Sequence, residues 1–598
     1  MNRWTMKTII ELVKKGFFHL SKSDQRKIYF VIPISVLLGL LDLVGVILLG
    51  TVGTLAFKSI SDDSRPTKLE LFLGNLIPGE VSTENLILIL GIAAIFVLAA
   101  KTISQAIMNY KLAKFQARIE TEIALKAFRR IIMSKASEFN SNKYSDYQYA
   151  LTVGANRFVT GIIGSVIAFS SDTITTLIMA GFAFYASPIA FLAAFLIFLI
   201  TYLLINGPIH DRSKSYGEEA AKIYVSMSEH ILENFKGIKE ISVYGKGDKL
   251  SQEFNQEKAR SSVLNQKMLW ISSVTRYFLE ISILVSAMGI VGVLLLTSDI
   301  RRSITVLVIF MAIGFRLIPN IQRMQNSLVT IRIAEGTTKG LMSILDSGDK
   351  ENEIGMQRHS ISTGFDSINI QNVFFDYPDS SGALCDISFR LSKNKCLAIV
   401  GESGSGKTTL ADLIAGINSP SSGTITFEKI GSPDNSPKIA PTIAYVSQNS
   451  SLFGDDVYEN IAFGSNDIII DKDRIESILS NLNLIDLLTD SETTGLRLIR
   501  SDGTNLSGGE RQRIAIARSE YADTQIVVFD EPTSSLDETN REKVIDYIKR
   551  IRNHKTIIIV THTLELLEYC DSVLQLENGR IIFYGSVADF KSRQITNT

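Results

Sequence analysis

The chain is poor in the features that organise small secreted, metal-binding or nucleic-acid-binding proteins. Of 598 residues only three are cysteine, Cys385, Cys396 and Cys570. All three lie in the C-terminal portion and share no metal-ligand or redox spacing, so they read as reduced thiols, with no support for zinc or a disulfide framework. Net charge is also nearly absent: 61 Lys and Arg against 62 Asp and Glu leave −1. A nucleic-acid partner is therefore not expected, since it calls for a strongly basic face. From Met1 to about Gln25, Lys and Arg mix with short apolar clusters, and no small-residue cleavage site precedes the first long apolar run, which predicts a retained N-terminus.

What the chain has is length and an uneven spread of apolar residues. It exceeds what one hydrophobic core accommodates, so at least two domains are expected. A bilayer core of about 30 Å, at about 1.5 Å rise per residue, needs roughly 20 largely apolar residues to cross. Six segments qualify: Ile28 to Phe57, Leu86 to Tyr110, Val159 to Tyr185, Pro188 to Asn206, Leu269 to Leu296 and Ile304 to Ile331. Runs such as LILILGIAAIFVLAA are apolar all round, unlike the one-sided pattern of a surface helix.

Basic residues set the expected orientation. Lys14, Lys15, Lys22, Arg26 and Lys27 precede the first span. Lys111, Lys114, Arg118, Lys126, Arg129 and Arg130 follow the second, and Arg212, Lys214, Lys222, Lys236 and Lys239 follow the fourth. These regions are predicted to be cytoplasmic, with both termini inside; Arg301 and Arg302 oppose the rule locally in a short turn. The two long connections are rich in helix formers and predict helices protruding from the bilayer, with turns near Tyr144 to Tyr149 and Ser213 to Ala220 available to a cytoplasmic domain. Ionisable residues in or beside the spans are costly in lipid, so Asp42, Lys101, Asp172, Arg276, Glu280 and Arg316 are expected to face a cavity or one another. Arg276 and Glu280, four apart, suit a pair on one helix face.

The segment 1–345 thus predicts an all-α membrane domain with six transmembrane helices, 346–360 a polar linker, and 361–598 a soluble domain. In the last, the β-type runs SINIQNVFF, KCLAIV, TIAYVS, IVVFDE and TIIIVTH alternate with helical stretches, the pattern of an α/β domain on a largely parallel sheet. After CLAIV comes Gly401-Glu402-Ser403-Gly404-Ser405-Gly406-Lys407-Thr408, then Thr409 and a helical run. This is a phosphate-binding loop: glycines allow backbone amides to face phosphate oxygens, Lys407 pairs with the β and γ phosphates, and the Thr408 hydroxyl suits magnesium. IVVFDE ends in Asp530, placed to bind magnesium, and Glu531, placed to polarise the attacking water. Leu506-Ser507-Gly508-Gly509-Glu510-Arg511-Gln512-Arg513 opens another helix with a glycine pair able to approach an anion.

GESGSGKT, LSGGERQR and IVVFDEPTSSLD in this order resemble the nucleotide-binding domain of ABC transporters. Six spans ahead of one such domain resemble an exporter-type half-transporter across the whole chain. The resemblance implies that Tyr377 stacks on adenine and that Gln448 touches magnesium. It implies that Ser507, Gly508 and Gly509 bind the γ phosphate held by a second subunit, and that Ser534 to Asp537 cross the dimer interface. His562 is implied to contact the γ phosphate. ATP and Mg²⁺ are the implied ligands, and a homodimer with two shared ATP sites the implied assembly, in the bacterial inner membrane with the ATPase domain cytoplasmic. Two departures stand out: Glu510 where exporters usually carry Gln, and Ile499-Arg500-Ser501-Asp502-Gly503 where an acidic coupling residue is expected.

TRYFLEI and FRLIPNIQRMQNSL are similar to strings in bacterial flippases for lipid-linked oligosaccharides. They imply an amphiphilic, lipid-linked substrate with Arg276 and Arg316 near an anionic group such as pyrophosphate. Export of a peptide or hydrophobic small molecule is the competing transport reading, and an ATP-gated regulator that moves nothing is the reading of a different class.

Overall fold

The structure, a computed structural model, describes residues 14, 16–60, 83–133, 144–297, 300–346, 364–377, 380–429, 441–448, 450–454, 456–465, 469–488, 506–534 and 536–597. The chain divides into two compact units, Met1–Ile132 with Asn142–Gly348, and Met133–Ser141 with Asp349–Thr598. Most of the expected linker and the whole of Ile499 to Gly503 lie outside the described residues.

The first unit is helical. Its long helices are α1 (Lys22–Ile60), α2 (Thr83–Met133), α3 (Ser165–Ala186), α4 (Pro188–Lys236), α5 (Gly247–Thr297) and α6 (Ile300–Thr337). Five of the predicted spans lie within one of these helices, and the third begins in the π-helical Arg157–Gly164 stretch that leads into α3. Among the described residues, Lys22–Gly53, Glu84–Met133 and Arg157–Tyr185 are long and apolar enough to cross a membrane. The burial pattern is that of a protein whose solvent is lipid. Ile92, Ile95, Phe96 and Leu284 are all at least 60% exposed, a display that water would penalise and hydrocarbon does not.

The helices outrun the bilayer. α2 continues from the apolar Leu86–Tyr110 stretch through its basic half to Met133, and α4 continues to Lys236. A stretch of π-helix, Ala150–Gly154 and Arg157–Gly164, precedes α3. Its buried Phe158, Val159, Ile162 and Ile163 form a core with Ile119, Ile123 and Ala127 of α2, Ala334 of α6, and Leu341 and Leu345.

One sequence expectation is corrected here. Ser213 to Ala220, predicted as a turn, is the interior of α4, with Gly217 in its middle. The glycine serves close packing instead: a Cβ on Gly217 would lie 2.5 Å from the Ile333 carbonyl oxygen, and one on Gly336 would lie 2.6 Å from the Glu218 amide nitrogen. Beside this crossing, Lys214 and Glu335 pair at 2.5 Å. The chain turns later, at Gly237 and at Gly245, whose φ of 61° is left-handed. The six-residue helix Tyr144–Tyr149 occupies the other predicted turn.

The second unit holds a six-stranded sheet of order β5-β6-β7-β3-β8-β9, built from β3 (Cys396–Gly401), β5 (Ile443–Val446), β6 (Ile526–Asp530), β7 (Thr556–Val560), β8 (Ser572–Glu577) and β9 (Arg580–Ser586). All neighbours are parallel except β8 and β9. A three-stranded antiparallel sheet of β1 (Ser367–Tyr377), β2 (Ser380–Ser392) and β4 (Ser422–Glu428) completes it. The continuous apolar runs arise because both faces of the parallel sheet are covered. Cys396, Ala398, Val527, Phe529, Ile557 and Ile559 enter one core, and Leu397, Ile399, Ile526, Val528, Ile558 and Val560 enter the other.

Strands β2, β4, β8 and β9 were not among the predicted runs. The β8–β9 link is an Asn578-Gly579 turn with φ of 47° and 74°, a pairing suited to a tight hairpin. The cysteines are free thiols, and Cys396 and Cys570, 174 residues apart, place their sulfurs at 3.0 Å, a proximity that spacing does not reveal. The hydrogen bond between them, followed by burial, pushes the Cys396 thiol well above its usual range.

The Gly217 crossing gives a direct test. Gly217→Val is expected to destabilise the purified protein by about 1–3 kcal/mol, the typical cost of overpacking, seen as a lower thermal midpoint in detergent. Gly340→Ala, where no atom lies within 4 Å of the new Cβ, is the control; equal midpoints for the two variants contradict the packing argument.

Candidate functional site

The site grows from the C-terminal end of β3, the edge where ligands settle on open parallel sheets. Residues 401–406 link this strand to helix α7 (Lys407–Ile414). Gly404 and Gly406 have φ of 81° and 100°, and a Cβ on Gly406 would stand 2.8 Å from Leu384 Cδ2 and 2.9 Å from the Ala383 carbonyl oxygen. Side chains are thus excluded where the loop bends, which leaves its backbone amides and the start of α7 to meet an anion. Lys407 is buried. Its ammonium donates to the carbonyls of Gly401 at 3.0 Å and Glu402 at 2.7 Å, folded over its own loop. Burial lowers its pKa, and the charges of Glu531 and Asp530 oppose that shift.

Asp530 and Glu531 close β6. The Thr408 hydroxyl stands 3.4 Å from Asp530 Oδ1, and the Tyr445 hydroxyl donates to Oδ2 at 3.4 Å. Burial raises the Asp530 pKa, with the neighbouring Glu531 charge adding and the Thr408 hydrogen bond opposing. Glu531 has a φ of 51°, a left-handed conformation that costs a side-chain-bearing residue about 1–2 kcal/mol. Its carboxylate is gripped on both oxygens. Gln448 Nε2 donates to Oε2 at 2.6 Å, and His562 Nε2 stands 3.3 Å from Oε1. Tyr377, at the end of β1, brings its hydroxyl within 3.1 Å of Thr409 Oγ1.

Ser507 caps helix α8 (Gly508–Tyr521) through a complete capping box: its amide donates to Glu510 Oε2 at 2.7 Å, and the Glu510 amide donates to Ser507 Oγ at 3.2 Å. A carboxylate and a carboxamide serve equally at this third helical position, which accounts for the Glu510 departure. Asp537 precedes the helix Glu538–Ile551 and accepts from Asn540 Nδ2 at 2.5 Å. Ser534 donates to the Glu531 carbonyl, and Ser535 lies outside the described residues.

The structure therefore gathers Lys407, Thr408, Thr409, Tyr377, Asp530, Glu531, Gln448 and His562 around one edge of the sheet. Sequence reasoning missed three contributors. Tyr445 stands between Asp530 and Asp412, and burial raises the pKa of both Tyr445 and Asp412. Gln512 Nε2 donates to the Glu531 carbonyl at 2.8 Å. Arg513 donates to the carbonyls of Leu482 at 3.0 Å and Asn483 at 2.9 Å, anchoring α8. The polar residues of QR in LSGGERQR were the available signal, since buried glutamine and arginine need partners.

Among the described residues, no cluster of three His, Cys, Asp or Glu is able to hold a metal by itself. Thr408 and Asp530 form a small oxygen donor set. That fits magnesium, which takes one or two protein ligands and completes its shell with phosphate and water. Ser405 Oγ, buried and without a hydrogen-bond partner inside the loop, likewise fits a site shaped for an anion.

The helical unit carries its own polar groups. Asp42 is 2% exposed and pairs with Lys101 at 3.0 Å and Arg316 at 3.4 Å. Asp172 accepts three hydrogen bonds from Arg323, one at 2.8 Å and two at 3.1 Å, a partner not singled out in the sequence. The Arg276 side chain lies outside the described residues.

Comparison with known proteins joins the two halves. Residues 384–534 match the ABC transporter family, and residues 28–317 match the ABC transporter transmembrane region. The chain belongs to the ABC transporters, as an integral membrane ATPase with its transmembrane and ATP-binding regions fused. It is 26% identical to the ATP-dependent lipid A-core flippase of Burkholderia thailandensis, over 81% of each chain. It is 25% identical to the lactococcin-G-processing and transport ATP-binding protein of Lactococcus lactis subsp. lactis, over 87% of this chain and 74% of the other. The solved structure of a bacterial Atm1-family ABC exporter with ATP bound shares the fold, with a TM-score of 0.79 at 18% identity, covering 96% of this chain and 97% of that one.

The raised Asp530 pKa has a consequence for stability. The ionised carboxylate is the costly form in the folded chain, so its cost is absent at pH values where the group is protonated both folded and unfolded. It grows as pH rises through the ordinary carboxylate range and is complete above the raised folded value. Asp530→Asn is thus expected to raise the thermal midpoint of the nucleotide-free protein in EDTA at neutral pH, by an increment that shrinks on acidification. A midpoint lowered equally at all pH values contradicts this.

Proposed function

We propose that the chain works as a homodimer that couples ATP hydrolysis to flipping or export of an amphiphilic, lipid-linked saccharide across the bacterial inner membrane. Six helices cross the membrane, and the ATPase domain sits in the cytoplasm. The domains proposed are the transmembrane domain 1–345, the linker 346–360 and the nucleotide-binding domain 361–598.

One observation carries the ATPase mechanism: the Glu531 carboxylate is fixed by Gln448 and His562 at the strand end that also presents Asp530. Glu531 takes a proton from the attacking water as general base. Lys407 and the amides of residues 401–408 hold the β and γ phosphates of ATP, and Tyr377 stacks on its adenine. Thr408, Asp530 and Gln448 would hold magnesium, which would supply charge neutralisation at the nucleotide phosphates. Ser507, Gly508 and Gly509 meet the γ phosphate of the nucleotide held by the second chain, with Asp537 at the interface. Tighter ATP binding by the closed dimer than by the open one supplies the work, and hydrolysis releases it.

The substrate proposal draws on the charges in the helical unit. Among the described residues, Lys101 and Arg316 pair with Asp42 and Arg323 pairs with Asp172, so basic groups are placed within the spans, where charge in lipid is expensive. An anionic headgroup such as a pyrophosphate near Arg316 and Arg276 is the complementary ligand. The named activity of the Burkholderia relative points the same way; that of the Lactococcus relative keeps peptide export as a second reading.

Reconstituted into sealed vesicles, the protein is expected to show ATPase stimulation by lipid-linked saccharides rather than peptides. Replacing Arg276 and Arg316 together is expected to remove both stimulation and flipping; undiminished activity would falsify the substrate assignment. Glu531→Gln should bind ATP normally but lose turnover by about 10²–10⁴-fold, the usual contribution of a general base. Rapid steady hydrolysis by that variant contradicts the role given to Glu531.

A further inference from the structure

We infer that Gln512 is a positioning residue that links the signature stretch to the base, so that hydrolysis at one ATP site depends on engagement of the other. The inference rests on the proposed two-chain mechanism and on Glu531 as its base. Gln512 is 1% exposed, and its Nε2 donates to the Glu531 main-chain carbonyl at 2.8 Å. It lies on α8 three and four residues after Gly509 and Gly508, one turn along the same helix face. Whatever fixes the glycine pair therefore fixes the root of Gln512.

The Glu531 backbone is held at both ends. Its amide donates to the Val560 carbonyl at 2.9 Å, two residues before His562. Its carbonyl accepts from Gln512 and also from Ser534, through the amide at 3.3 Å and the hydroxyl at 3.1 Å. Between these ties Glu531 sits at a φ of 51°. A residue in so narrow a conformational well keeps its carboxylate aimed only while its surroundings enforce the bend. Gln512 is the one of these ties that comes from the signature helix. Arg513, next along the chain, binds α8 to the carbonyls of Leu482 and Asn483. Helix α8 thus moves as a body rather than bending around its first turn.

The consequence spans two active sites. In the proposed dimer, Gly508 and Gly509 engage ATP held by the other chain's phosphate loop, whereas Glu531 serves ATP held by its own. Gln512 joins the two, and a chain whose signature meets no nucleotide leaves its own base poorly aimed. This arrangement makes ATP turnover positively cooperative.

The test uses the full-length protein in nanodiscs with ATP and magnesium. Gln512→Met keeps the side-chain length but removes the donor. It is expected to lower kcat on the order of 10–100-fold, the scale of a small misplacement of a reacting group. The ATP dissociation constant should hold within about twofold, and the Hill coefficient should fall to about 1. Gln512→Glu, which presents only acceptors to the carbonyl when ionised, should be impaired at least as severely. Wild-type kcat and Hill coefficient in Gln512→Met overturn the link, as do parallel losses of kcat, ATP affinity and thermal stability, which would mark a packing residue.

A second measurement separates this link from its premise. Glu531→Gln is expected to trap an ATP-bound closed dimer, and Glu531→Gln with Gln512→Met is expected to trap it equally, because the signature contact itself is intact. Trapping lost only in the double variant overturns the link alone. If Glu531→Gln by itself traps no dimer, the two-chain mechanism fails and the link fails with it.

Discussion

The whole arrangement depends on a stretch of backbone being held where ordinary residues would not go. Between β3 and α7, Gly404 and Gly406 take positive φ and Lys407 folds over its own loop carbonyls. Across the sheet edge, Glu531 adopts the same unusual hand while carrying a full side chain. Such bends persist only if neighbouring structure supplies more than they cost. Here that support comes from the parallel sheet, whose central strands are buried on both faces, and from the side chains of Gln448, Gln512 and His562 that close on Glu531.

Much of this was legible in the sequence, for reasons that can be stated residue by residue. CLAIV, IVVF and TIIIV announce buried parallel strands because both faces of each need apolar side chains. GESGSGKT announces its loop because glycine alone tolerates the bends and lysine alone supplies a long cation there. The resemblance gave Gln448 to magnesium and His562 to the γ phosphate; in the structure both side chains stand against the Glu531 carboxylate. Other features left a shorter trace, such as the five-residue alternation Ile387-Ser388-Phe389-Arg390-Leu391 in β2. The strands β2, β4 and β9 are half-exposed or irregular, and β1 carries bulges in its pairing with both neighbours. Ser213 to Ala220 read as a turn, and sequence does not reveal that another backbone passes 2.5 Å from where the Cβ of Gly217 would be. Contacts across long separations, such as Cys396 with Cys570 or Asp172 with Arg323, are invisible to spacing rules for the same reason.

In the helical unit, apolar runs marked helices and the helix formers that follow them marked their extensions: α2 and α4 continue well past the hydrocarbon-length runs. Length beyond the bilayer is what lets a membrane helix act as a lever on a domain outside it. The charges within the spans follow a stricter logic. Asp42 and Asp172 each find basic partners on other helices, so the cost of placing charge in lipid is offset by pairing that also fixes helix positions. The same pairs tie structure to transport, since any change in helix arrangement must exchange or stretch them.

The central claim is that one chain holds only half of each working site. The direct measurement is ATP turnover in nanodiscs sorted by the number of fluorescently labelled chains, counted by single-molecule photobleaching. The account predicts hydrolysis only in discs that hold two chains, with single-chain discs binding ATP but not turning it over. Efficient hydrolysis in discs that hold one chain would contradict it.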